Sequence, residues 1–268
     1  MSTTSGYAQI NGAALWYEVS GEGEPLLLLH AGICDASMWD EHMEPLSARF
    51  RVIRYDMRGF GRSNLPDGPF AAHDDAHALL AHLGTARAHI LGVSMGGRVA
   101  LNLTLTYPEC VSALILVSTT VGGFSYSGPP SWVDELEEQI EAADAIGDAD
   151  RVNELEVRKW VDGAGRTSDH VDQSVRARVL AMNRRTIELE NPRAIPLSLN
   201  PPAVTRLGEI GVPTLVVVGD RDVPVTRASC ALLATSITGA RQVEMAGTAH
   251  LPCMERPAEF DAHVLDFL

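Results

Sequence analysis

Five short apolar runs constrain this chain more than anything else in it. Residues 25–31 (PLLLLHA), 51–57 (RVIRYDM), 88–94 (AHILGVS), 112–119 (SALILVST) and 213–220 (PTLVVVGD) are near-continuous in Leu, Ile and Val. A strand with one wet face alternates apolar and polar residues, so runs without alternation predict strands covered on both faces, as in a parallel sheet between helices. The intervening stretches WDEHMEPLSA, AAHDDAHALLAHLG, MGGRVALNLTLTYP and TRASCALLATSI carry helical spacing and end near Gly or Pro. At the start, YAQI and ALWYEVSG flank Asn11-Gly12, a hairpin signal, so the sheet should begin antiparallel. The prediction is an α/β fold with a mostly parallel sheet and helices on both faces.

The alternation stops after the fourth run. From 123 to 200 no strand-like run occurs; instead there are three helix-like stretches, beginning SWVDEL, DADRVN and SDHVDQ, bounded by the Pro-containing SGPP and LSLNPPA. We read residues 1–122 and 201–268 as one core and 123–200 as a helical cap inserted in it. A chain of 268 residues that is 46% hydrophobic is long enough for such a domain. The acidic run from Asp134 to Asp150 reads as the exposed face of a cap helix.

Charge and cysteine usage remove several classes of function. A formal net charge of −14 repels phosphate backbones and anionic lipid, so neither nucleic acid nor a membrane is expected as a partner. No apolar run has the length of a membrane span, and MSTTSGYAQING lacks the pattern of a signal peptide, so a cytoplasmic location is expected. Cys34, Cys110, Cys230 and Cys253 form no CxxC pair and are read as buried free thiols. His73 and His77 have the i,i+4 spacing of a zinc pair but no third ligand pattern, and are read as a solvated helix face. No metal and no cofactor is expected.

The chemistry centres on GVSMG, Gly92 to Gly96, behind a strand and ahead of a helix. A sharp strand-to-helix turn strains the serine backbone and leaves no room for Cβ atoms two residues to either side. It lifts the Ser94 hydroxyl above the sheet and aims a helix N-terminus at whatever reacts there. A serine nucleophile needs a base and a carboxylate to orient that base. Of nine histidines His250 has the best context, in a loop after a predicted last strand (241–245) and before a terminal helix. The carboxylate is Asp222 or Asp220 in VVVGDRDVPV; Asp222 is preferred because the turn must clear the strand before a side chain can reach the histidine.

LLLLHAGICDASMWD, YDMRGFGRS, GVSMGG, GDRDVP and GTAHLPCMERP stand in the order seen in α/β-hydrolases, and the chain resembles that family over essentially its whole length. The resemblance implies a Ser94–Asp222–His250 triad and an oxyanion hole from the amides of Met95 and Gly32. The family usually reads His-Gly where this chain has His30-Ala31, so Ile33 is the alternative second donor. Dehalogenases and epoxide hydrolases of this fold carry Asp at the turn, and Ser94 argues against both. His30 is expected to buttress the oxyanion loop, and Asp56 and Arg58 to pair as a structural ion pair. In the cap, Trp132 and Trp160 are candidates for the pocket mouth, and Val175, Val179 and Met182 share a helical face; all five equally suit packing of cap on core. Cap arginines are candidates for holding a substrate carboxylate.

RKWVDGAGR and YDMRGFGRSNLPDGPF resemble 3-oxoadipate enol-lactonase-like and esterase-like hydrolases. That implies a serine hydrolase acting on a small carboxylic ester or lactone, without cofactor. The same residues also suit a carbon–carbon bond hydrolase, a cofactor-free perhydrolase, or a small-molecule receptor with little turnover. Oligomeric state is open.

Overall fold

The computed structural model describes residues 3–129 and 131–268. Among the described residues ten strands form: β1 (Thr3–Ile10), β2 (Ala13–Ser20), β3 (Glu24–Leu29), β4 (Phe50–Tyr55), β5 (Gly68–Phe70), β6 (Ala88–Val93), β7 (Val111–Val117), β8 (Ala194–Pro196), β9 (Thr214–Gly219) and β10 (Arg241–Met245). Eight of them make one sheet in the order β1-β2-β4-β3-β6-β7-β9-β10. The pairings β1/β2 and β2/β4 are antiparallel and the remaining five are parallel. Asn11 (φ 46°) and Gly12 (φ 82°) occupy the two left-handed positions of the first hairpin, as their sequence signals.

Pleating sorts the apolar runs onto two faces. Leu27, Leu29, Ile90, Val216 and Val218 enter one core cluster, and Leu26, Leu28, Leu91, Leu215 and Val217 enter the other. All four leucines of β3 are completely buried, and each such side chain contributes about 1.5–3 kcal/mol. This is the physical reason for the unbroken runs: a polar residue at any of these positions would be stranded in a dry layer.

The helices are α1 (Asp40–Ser47), α2 (Ala72–His82), α3 (Met95–Thr106), α4 (Trp132–Ala145), α5 (Ala149–Val157), α6 (Gln173–Glu188), α7 (Pro224–Ser236), α8 (Pro252–Glu255) and α9 (Pro257–Phe267). Side chains of α2, α3 and α7 cover one face of the sheet; those of α1 and α9 cover the other. The segment between β7 and β9 holds α4, α5, a π-helical turn at Arg158–Asp162, and α6. Its helix starts are set by side-chain caps: Ser131 with Asp134, Asp148 to the Arg151 amide, and Asp172 to the Ser174 amide. Leu136, Ala143, Val152 and Leu155 form a small cluster of their own there.

Three expectations need correction. The 123–200 segment does contain a strand, β8, which pairs in parallel with β5 and ties the end of the insertion to the loop before α2. Asp56 and Arg58 do not pair with each other, because the chain turns between β4 and Gly59 (φ 85°) and sends them to different neighbours. Asp56 binds Arg62 and the Ala36 amide, each at 2.8 Å, whereas Arg58 forms two 2.8 Å bonds to Asp75. His73 is not on a solvated face: it is buried, and burial lowers its pKa, while His77 stacks on Tyr107 with ring centroids 3.9 Å apart. All four cysteines are buried free thiols. No helix among the described residues is long and apolar enough to cross a membrane.

Candidate active site

Ser94 stands between β6 and α3 with φ 54° and ψ −113°. A non-glycine residue there is strained by about 1–3 kcal/mol and persists only when its surroundings over-determine it. They do. The Ser94 amide donates to the Val117 carbonyl of β7 (2.8 Å), and its own carbonyl accepts from the Arg98 amide (3.1 Å) as α3 begins. A Cβ on Gly92 would lie 2.6 Å from the Gly97 amide nitrogen, so only glycine lets the strand pass beneath the helix start. A serine before a helix ordinarily caps it, yet Ser94 makes no cap hydrogen bond and its hydroxyl is left for other use.

His250 and Asp222 meet from loops at the carboxyl ends of β10 and β9. The His250 Nδ1 lies 2.9 and 3.0 Å from the two Asp222 carboxylate oxygens, and both side chains are buried. A carboxylate only accepts, so the pair keeps the imidazole proton on Nδ1 and leaves Nε2 as the acceptor. The two loops are strapped together by the Arg221 amide on the Thr248 carbonyl at 2.9 Å. Asp222 also accepts from the Val223 amide at 2.7 Å. Asp220 is occupied elsewhere, accepting from the Gly247 amide at 2.6 Å. The geometry therefore sets Asp222, and not Asp220, against the histidine.

The loop after β3 lies beside the start of α3: a Cβ on Gly32 would come within 3.6 Å of the Met95 side chain. Among the described residues, the amides of Gly32, Ile33 and Met95 donate to no protein acceptor. His30 holds the base of this loop. Its Nδ1 bonds the Ala31 carbonyl at 2.8 Å and its Nε2 accepts from the Met57 amide at 2.9 Å. Burial pushes its pKa down, which suits a ring whose Nε2 must stay unprotonated.

A cavity of about 680 Å³ is lined by Gly32, Ile33 and Met95, the residues around the start of α3; Ser94 and His250 are not among its lining residues. Its floor is one face of α3, where Arg98, Val99 and Asn102 follow Met95, and Glu156, Asn183 and Ile187 contribute from α5 and α6. Burial raises the Glu156 carboxyl, whose oxygen accepts from the Asn183 amide at 2.7 Å.

Neither proposed tryptophan lines the cavity. Trp132 packs on the small cluster within the insertion, because its neighbours on α4 face that way. Trp160 instead lies on His250, with ring centroids 4.3 Å apart, and its carbonyl accepts the His250 amide at 3.2 Å. Val175, Val179 and Met182 are buried in the core cluster beneath. No arginine of residues 123–200 is among the cavity's lining residues, and four of them are paired elsewhere: Arg176 with Asp162 and Glu154, Arg166 with Glu255, Arg178 with Glu41 and Arg185 with Asp35. The cavity residues that sequence reasoning missed, Arg98 and Asn102, carry a readable signal: they stand four and eight residues after Ser94, on the same helical face. Among the described residues no group of three or more His, Cys, Asp or Glu is placed to hold a metal ion.

A mostly parallel sheet with a serine at a strained strand-to-helix turn defines the hydrolases built on this architecture. The chain belongs to the α/β-hydrolase fold family, whose model matches residues 24–257, and it is an enzyme of that class. It is 31% identical over 94% of its length, and 90% of the relative's, to a 2-hydroxy-6-oxononadienedioate/2-hydroxy-6-oxononatrienedioate hydrolase of Pseudomonas putida. The uncharacterized hydrolase YraK of Bacillus subtilis is 36% identical, but over only 43% of this chain and 44% of its own. Among solved structures it is similar to the enol-lactonase of Burkholderia xenovorans LB400, at 28% identity and a TM-score of 0.77 over 98% of this chain and 99% of that one. It is also similar to Est816, described as an N-acyl homoserine lactone degrading enzyme, at 26% identity and a TM-score of 0.79 over 98% and 100%.

Proposed function

We propose that this protein is a serine hydrolase that cleaves a small carboxylic ester or lactone through an acyl-enzyme. One observation carries the reading: a strained, uncapped Ser94 stands at the same sheet edge as a buried His250–Asp222 pair whose Nε2 has no partner among the described residues. Ser94 Oγ attacks the carbonyl carbon while His250 Nε2 takes its proton. His250 then gives that proton to the departing alkoxide, and Asp222 stabilises the imidazolium in between. The Met95 amide and that of Gly32, with Ile33 as the alternative, hold the oxyanion; one such donor contributes about 10²–10³ in rate. Water, deprotonated by His250, attacks the acyl-Ser94 carbonyl, and the collapse expels the serine oxygen, which regains its proton.

Residues 123–200 serve as the cap that closes the cavity and selects the substrate, since α5 and α6 supply part of its wall. The lactone-acting neighbours support an ester or lactone bond. No cofactor enters the scheme, and the partner is a small molecule. A second reading has one specific support: the substrate for which the Pseudomonas relative is named is an oxo-dioate with neither ester nor lactone, so its hydrolysis breaks a carbon–carbon bond. The same triad accommodates that reaction.

The test is hydrolysis of p-nitrophenyl butyrate by wild type and Ser94→Ala, with mass spectrometry of the Ser94 peptide after incubation with a pooled ester and lactone library. Loss of turnover and of the acyl adduct in the variant is expected. Wild-type rates in Ser94→Ala would overturn the scheme, and a single acylation without turnover would favour a receptor.

A further inference from the structure

The cavity wall carries one arginine that nothing among the described residues satisfies. Arg98 is exposed, lines the cavity, and among the described residues donates to no carboxylate, carbonyl or hydroxyl. One turn further along α3, the half-buried side chain of Asn102 lines the same cavity and is likewise without a partner among the described residues. Ser94, Arg98 and Asn102 are spaced i, i+4 and i+8, so the two donors stand on the helix face that begins at the serine, with Cα positions about 6 and 12 Å along the axis.

The other ionisable groups of the cavity make Arg98 the exception. Arg58 also lines it, but its guanidinium is consumed by two bonds to Asp75 and by the carbonyls of Ile10 and Asn11. Burial lowers the His73 pKa, so at neutral pH it supplies no cation. Glu156 and Glu190 also line the cavity, from residues 123–200, and a carboxyl group offers no cation to an anionic ligand. Arg98 itself lacks any compensating carboxylate: desolvation alone shifts it, downwards, and it stays cationic at any working pH.

We infer that Arg98, assisted by Asn102, is the anion-binding end of this cavity, and that the preferred substrate carries a free carboxylate a few methylenes from the scissile carbonyl. The inference rests on the ester- or lactone-hydrolase reading for the word substrate, but binding can be read without turnover. A planar guanidinium takes a carboxylate through two parallel N–H···O bonds, and Asn102 offers a further N–H. A charge-assisted pair of this kind is worth about 1.5–3 kcal/mol, which is about ten- to hundredfold in affinity.

The test measures glutarate binding by calorimetry to wild type, Arg98→Met and Arg98→Lys, beside steady-state kinetics on mono-p-nitrophenyl glutarate and p-nitrophenyl butyrate. Glutarate should bind the wild type, bind Arg98→Met about ten- to hundredfold more weakly, and bind Arg98→Lys at an intermediate level. Arg98→Met should lose a similar factor in kcat/KM on the glutarate ester while staying within about threefold of wild type on the butyrate ester. Glutarate binding that is absent or indifferent to Arg98, or an equal change on both esters, overturns the inference. If the wild type hydrolyses neither ester yet binds glutarate through Arg98, the ester-hydrolase reading fails and the anion site stands.

Discussion

The indole of Trp160 lies on the imidazole of His250, centroids 4.3 Å apart and planes inclined by 40°, while the Trp160 carbonyl accepts the His250 amide at 3.2 Å. The insertion thus holds the histidine by both ring and backbone. From the other side, the Ala164 amide reaches the Arg221 carbonyl at 2.9 Å, next to Asp222. A mobile imidazole would spend less time aligned with a nucleophile, so this clamp connects packing of the segment between β7 and β9 to rate.

Trp160→Ala removes the ring contact but keeps the carbonyl. Aromatic packing of this kind is worth about 0.5–1.5 kcal/mol, so kcat on a small ester is expected to fall about two- to tenfold, with Trp160→Phe close to wild type. Steady-state kinetics on p-nitrophenyl butyrate decides it; an unchanged kcat in Trp160→Ala would show that the ring does not position the base.

The two aspartates of GDRD separate cleanly. Asp222→Asn should reduce kcat by about 10³–10⁴, because an amide that donates to Nδ1 forces the wrong tautomer. Asp220→Ala removes the acceptor of the Gly247 amide and should cost about 0.5–2 kcal/mol in urea unfolding while leaving kcat within a few-fold. Reversed outcomes would move the carboxylate role to Asp220.

Gly92 and Gly211 offer a paired test of the turn. An added Cβ meets backbone 2.6 Å away at Gly92 and nothing within 4 Å at Gly211. Gly92→Ala should destabilise by about 1–3 kcal/mol or more and Gly211→Ala by less than about 0.5 kcal/mol. Equal thermal midpoints for the two variants would mean that the strand and helix can separate without cost.

Acid stability should carry the signature of His30. Burial lowers its pKa in the folded protein, whereas in the unfolded chain it titrates near its ordinary 6.5. Below that value the unfolded state takes up a proton that the folded state refuses, so stability falls as pH drops below about 6.5 and is flat above it. His73, also lowered by burial, acts in the same direction. Urea midpoints between about pH 5 and 8 should show a slope of up to about 1.4 kcal/mol per pH unit for each such histidine, shallower in His30→Gln. A slope unchanged in that variant would assign the effect to other groups.

Much of the fold was legible because its signals are local. Continuous apolar runs imply two covered faces whatever the neighbours are, and Leu26 to Leu29 are buried on alternate faces for that reason. The GVSMG turn is equally local, since its steric demand lies within a few residues. Pairings between distant segments were not legible. Asp56 and Arg58 look like partners at two-residue spacing, yet Arg62 and Asp75 take them, and which acceptor lies closer depends on how loops cross. β8 was invisible because three residues with a proline carry no periodicity; it exists only because β5 lies beside it.

The sequence by itself determined the architecture, the serine at the turn, and the two carboxylate candidates and histidine that follow it in order, because strand burial, glycine sterics and chain order are properties of short segments. Tertiary structure alone decided that Asp222 and not Asp220 faces His250, that Trp160 lies on the base and not at the pocket mouth, and that Arg98 is left unpaired in the cavity. Each of these depends on where a side chain points across segments tens to more than a hundred residues apart, and that direction is set by packing, which no local pattern encodes.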